Sequence, residues 1–140
     1  MTKTMLATLA LGAAVAFAGQ ALAADKMKAT LSGKSEVPPN TSAGTGTAEL
    51  DYDAASKKLN WKVTYSGLSG PATAAHFHGP AEAGKNAGVA VAIPNAGTSP
   101  VSGSATLTDA QAADLVAGKY YINIHTAANP GGEIRGQVTK

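Results

Sequence analysis

From Lys26 onward, apolar and polar residues alternate with a period of two, in short runs punctuated by glycine, proline and asparagine. That is the pattern of half-buried antiparallel strands. Met27, Ala29 and Leu31 share one face of the first run, and Lys26, Lys28 and Thr30 the other. Pro38-Pro39 excludes an interior strand in the next segment, because paired prolines remove ladder donors. Ala48, Leu50 and Tyr52 then alternate with Thr47, Glu49 and Asp51. After a turn at Asp53–Lys57, Leu59, Trp61, Val63 and Tyr65 form the apolar face of a partner strand. These two runs predict a hairpin. Further strands are predicted at Ala72–Gly79, Gly88–Ile93, Val101–Leu107, Tyr120–His125 and Glu133–Val138. Phe77 falls opposite His76 and His78. In the last run Ile134 is expected to point inward, and Glu133 and Arg135 outward.

One segment has helical spacing. Thr108 followed by Gln111 fits a capping box, Leu115 and Val116 supply a short apolar stripe, and Gly118 suits the left-handed C-terminal position. Seven or eight short strands with one short helix predict an all-β protein, an antiparallel Greek-key-like β-sandwich.

Composition narrows the function. The opening segment carries Lys3, then an apolar run from Met5 to Phe17, then Ala21-Leu22-Ala23. This reads as a cleaved signal peptide over residues 1–23. The apolar run falls short of the about 20 residues that span a bilayer. The expectation is a single domain at residues 24–140, periplasmic or secreted and free of the membrane after cleavage. The absence of Cys excludes disulfides, thiol nucleophiles and cysteine-ligated metals. A formal net charge of +2 without a basic block argues against a nucleic-acid partner. No Gly-x-Ser-x-Gly elbow or phosphate loop is present. With no carboxylate pair placed for catalysis either, the chain is expected not to be an enzyme.

The three histidines are the chemistry that remains. His76 and His78, one residue apart on a strand, place two imidazoles on one face about 7 Å apart along the backbone. His125 completes a three-nitrogen metal site if its strand neighbours theirs. Imidazoles without thiolates suit copper, zinc or nickel, and the affinity order favours copper over zinc. Glu133 stands as a possible fourth ligand or as the group that orients an imidazole through its N–H. The competing reading makes the histidines structural, bonded to loop carbonyls, with His125 serving the Asn129–Gly132 turn. It also makes Arg135 half of a surface ion pair with Glu36.

The stretches Ser32-Gly33 to Pro38-Pro39, Leu59-x-Trp61-x-Val63, Ala75-His76-Phe77-His78-Gly79-Pro80-Ala81, Tyr121-x-Asn123-Ile124-His125-Thr126 and Asn129-Pro130-Gly131-Gly132-Glu133-Ile134-Arg135-Gly136-Gln137 resemble the CHRD domain. This module was first named from chordin and also occurs singly in exported bacterial proteins. The resemblance implies an extracytoplasmic β-sandwich and brings no defined activity with it. The combined expectation is an exported, non-enzymatic binding module that holds copper, or else zinc, through His76, His78 and His125. The alternative is a protein-interaction or adhesion domain that binds an unidentified protein partner and has structural histidines. A dismutase-type redox enzyme is a weaker third reading. The His-x-His pair is similar to copper ligands of Cu/Zn superoxide dismutase, but three histidines cannot supply that enzyme's full ligand set.

Overall fold

The computed structural model describes residues 23–140. The signal-peptide reading therefore lies almost wholly outside the described residues. The chain runs through β1 (Asp25–Ser32), a 3₁₀ turn (Gly33–Ser35), β2 (Thr45–Asp53), β3 (Lys58–Ser66), β4 (Ala72–His78) and β5 (Val89–Ala92). It continues through β6 (Val101–Thr106), α1 (Asp109–Val116), β7 (Tyr121–Thr126) and β8 (Ile134–Gln137). No helix among the described residues is long and apolar enough to cross a membrane.

The eight strands form one antiparallel sheet in the order β5-β4-β7-β8-β1-β2-β3-β6, curled into a nearly closed, sandwich-like fold. β1, β2 and β3 make a meander. The predicted hairpin is β2–β3, with Leu50 opposite Trp61 and Tyr52 opposite Leu59. The chain then crosses: β4 and β5 form a hairpin at one edge, β6 pairs with β3 at the other, and β7 returns to lie beside β4. That return brings residues about fifty positions apart onto neighbouring strands.

The period-two faces point as their chemistry requires. Leu31, Leu50, Leu59, Val63, Phe77, Ile122, Ile124 and Ile134 are buried, and Trp61 packs edge-on against Phe77 with ring centroids 5.2 Å apart. Each such side chain contributes about 1.5–3 kcal/mol by leaving water. Alternate positions of β1 and β3, among them Lys26, Lys28, Lys58 and Lys62, are exposed. Helix α1 begins at the expected capping box. Gln111 N–H donates to Thr108 Oγ1 at 3.2 Å, and Thr108 N–H donates to Gln111 Oε1 at 2.9 Å. Gly118 takes a positive φ of 76° just past the helix. Gly136 is needed for closure, since a Cβ there would strike the Thr30 carbonyl of β1.

The outer face of β7 and β8 departs from the sequence reading. Tyr121, Asn123, Glu133 and Arg135 are all buried, with Glu133 0% and Arg135 2% exposed. The cause is a second layer of loops. Tyr121 Oη donates to the Ala87 carbonyl at 3.1 Å and accepts from Ala87 N–H at 3.0 Å. Arg135 bonds Asn86 Oδ1 and the Lys85 carbonyl, and Asn86 Nδ2 in turn reaches the Val37 carbonyl. Asn40 Nδ2 donates to the Glu133 carbonyl at 2.9 Å. The segments 36–42 and 85–88 thus roof this face, and alternation alone does not reveal a roof.

A candidate metal centre

The pairing of β4 with β7 sets the histidines. His76 stands opposite Asn123, Ala74 opposite His125 and His78 opposite Tyr121. His76, His78 and His125 therefore share the outer face around Asn123. One ring nitrogen from each lies within 4.8 Å of the others. The strand adjacency on which a three-nitrogen site depends is present.

The three rings are not equivalent. His76 Nδ1 lies 3.1 Å from His125 Nε2, and His125 Nδ1 lies 2.8 Å from the Pro130 carbonyl. A carbonyl partner at Nδ1 places the proton there and leaves the Nε2 lone pair facing His76. The turn contact expected of a structural His125 is thus made by one nitrogen, while the other stays available. His78 is tied at both ends: Nδ1 is 3.0 Å from the Ala87 carbonyl and Nε2 is 2.8 Å from Asn123 Oδ1. Its ring stacks on Tyr121 at 4.9 Å and 3°. Arg135 also lies over the Tyr121 ring, with Cζ 3.4 Å from the centroid. Since β7 lies between β4 and β8, the column runs His78, Tyr121, Arg135.

Burial pushes the His76 imidazole below its ordinary pKa, and the nearby His125 and His78 rings push it further the same way. Burial also lowers His78, against the opposing bonds to Ala87 and Asn123. Both effects favour the neutral form, the form that ligates metal.

Glu133 lies apart from this cluster. Its carboxylate accepts from Ser42 Oγ at 2.8 Å, Ser69 N–H at 2.9 Å, Ser69 Oγ, Thr126 Oγ1 at 2.7 Å and Asn129 Nδ2 at 3.1 Å. No histidine is among its partners. The orienting role considered for it falls instead to the carbonyls of Pro130 and Ala87 and to Asn123. Burial alone would raise its pKa, but the donors from Ser69, Thr126 and Ser42 outweigh that and hold it down at about 2. Glu133 knots together the 40s loop, the 60s loop and the β7–β8 turn. The surface pair of Arg135 with Glu36 is also corrected: both are buried, Arg135 bonds Asn86 and Lys85, and Glu36 Oε1 has no hydrogen-bond partner among the described residues.

The CHRD domain family model matches residues 27–138. The chain belongs to the CHRD domain family. No curated protein and no solved structure matches it. The matched span of this CHRD domain contains all three histidines and every partner just described. Asn123 was missed as a functional candidate because an asparagine on an apparently outward strand face carries no signal in the sequence. Only the register places it amid the three rings.

Glu36 gives a separate, measurable consequence within this CHRD domain. Burial raises its carboxyl to about 7, with the Arg135 charge opposing. A carboxyl raised on folding binds more protons folded than unfolded, so its contribution falls as pH rises from about 4.5 to 7. Glu36→Gln should therefore stabilise the domain at pH 8 by on the order of 2–3 kcal/mol and leave it nearly unchanged at pH 4. Urea unfolding at the two pH values measures this, and an equal effect at both would contradict it.

Proposed function

We propose that this CHRD domain is an exported, non-enzymatic binding module that holds one transition metal ion through His76, His78 and His125. Copper(II) is the preferred ion and zinc(II) the second. The observation that carries the reading is the His76–His125 contact. Two ligands about 2.0–2.1 Å from a tetrahedral ion stand about 3.3–3.4 Å apart, and these nitrogens are 3.1 Å apart. The Pro130 carbonyl already fixes one ring in the orientation a ligand needs. An all-imidazole set suits copper and zinc, and copper stands higher in the affinity order. The export component rests on the pattern of the first 23 residues. A few neutral ligands near the surface suit reversible uptake, as in buffering or delivery.

A second reading, an interaction or adhesion domain with structural histidines, is favoured by one observation: both nitrogens of His78 already face oxygen partners. Thermal unfolding with and without Cu(II) or Zn(II) separates the two. An ion present at a hundred times its Kd should stabilise the fold by about 2.7 kcal/mol, and the structural reading predicts no shift. Protonation competes with metal, so affinity should fall with acidity. Because His76 and His78 are both lowered from the ordinary 6.5, the midpoint of that loss should lie below pH 6.5. A midpoint above it would contradict the assignment.

A further inference from the structure

Deepening the metal reading, on which it rests, we propose that Asn123 is the positioning residue that sets how many histidines hold the ion. His76 and His125 are the two strong ligands, and Asn123, by competing for the His78 nitrogen, makes His78 the weak third.

The register supplies the argument. Asn123 lies directly opposite His76, two residues before His125 and diagonally beside His78. The His78 nitrogen turned toward Asn123 is therefore the one turned toward the other two rings. Ala87, the partner of the other nitrogen, precedes β5, which pairs with the opposite edge of β4. The ligand nitrogen of His78 is thus Nε2, and Asn123 Oδ1 occupies its approach at 2.8 Å.

The asparagine amide is held at both ends: one end meets His78 Nε2, and Nδ2 donates to the Gly131 carbonyl at 3.3 Å. Gly132 packs against the same amide: a Cβ there would lie 2.5 Å from both Asn123 Nδ2 and Glu36 Oε1. By contrast, the facing nitrogens of His76 and His125 have no competitor but each other. The 4.8 Å spread of the three-ring set exceeds the about 4.2 Å that separates even two opposed ligands on one ion. His78 must leave Asn123 and move inward to join. The result is a site with a two-histidine state and a three-histidine state, weakened by design of its own strand and suited to giving up its ion.

The test uses the chain with Asn123→Leu, which keeps the volume and removes the competing oxygen. The probe is Cu(II), followed by titration and by the nitrogen hyperfine pattern in electron paramagnetic resonance. The expected result is about tenfold tighter binding in Asn123→Leu, with a third imidazole nitrogen appearing. His78→Ala should cancel that gain. In the otherwise unaltered chain, His78→Ala should weaken binding less than about tenfold, while His76→Ala and His125→Ala each weaken it more than about 100-fold. This asymmetry decides the matter even if Asn123→Leu fails to fold. Equal losses for the three histidines, or weaker binding in a folded Asn123→Leu, overturn the role of Asn123 while the metal site stands. No Cu(II) binding by the unaltered chain overturns both.

Discussion

Glu133→Ala is expected to lower stability by about 3–5 kcal/mol at neutral pH, the range for leaving buried charged hydrogen-bonding groups without their partner. The carboxylate is fully buried and accepts five hydrogen bonds from four residues in three separate segments. Its removal strands the Ser69 amide and four side-chain donors, and unties the loops that roof the outer face. The same group governs acid stability. A carboxyl depressed on folding contributes stability that is fully present above its unfolded pKa and is lost as pH falls through its folded one. For Glu133 that window runs from about 4.5 down to about 2. The contribution lost across it is on the order of 3 kcal/mol. Denaturant unfolding between pH 2 and pH 6 should show this slope in the unaltered chain and lose it in Glu133→Ala. A variant as stable as its parent at pH 7 would show that the polar knot does not hold the loops.

The other large effect concerns the ion. His125→Ala and His76→Ala should each reduce Cu(II) affinity more than about 100-fold, because each removes one of the two nitrogens already near coordination spacing. Stability without metal should change by less than about 3 kcal/mol in His125→Ala, since two hydrogen bonds are lost, to the Pro130 carbonyl and to His76 Nδ1. A strong effect on binding with a weak effect on folding separates a ligand from a structural histidine. If His125→Ala unfolds the domain and metal binding is absent throughout, the histidines are structural.

The strands were legible in the sequence because their faces alternate cleanly. Met27, Leu31, Leu50, Leu59, Val63 and Phe77 all point into the core as period two requires. The helix was legible through Thr108 and Gln111, a local motif with a local cause. The histidine constellation was legible only in part. His76-x-His78 places its own two rings, but whether His125 joins them depends on β7 returning beside β4 after a crossover through β5, β6 and α1. No local pattern carries that information. Glu133, Arg135 and Glu36 were misread as surface groups for a related reason. Glu133 and Arg135 alternate as solvent-facing residues do, Glu36 lies in an irregular Pro-Pro segment, and the roof over the outer face comes from loops whose glycines and asparagines have no periodicity. Asn86, Asn40 and Ser42 are ordinary loop residues in sequence. In the fold they bond Arg135, the Glu133 carbonyl and the Glu133 carboxylate.

The central claim is that the histidine cluster holds one metal ion, and calorimetric titration of the metal-free domain with Cu(II) and Zn(II) tests it most directly. The account predicts one-to-one binding, tighter for Cu(II), that is lost in His76→Ala and in His125→Ala. Absence of heat with either ion, or binding that survives both substitutions, would contradict it.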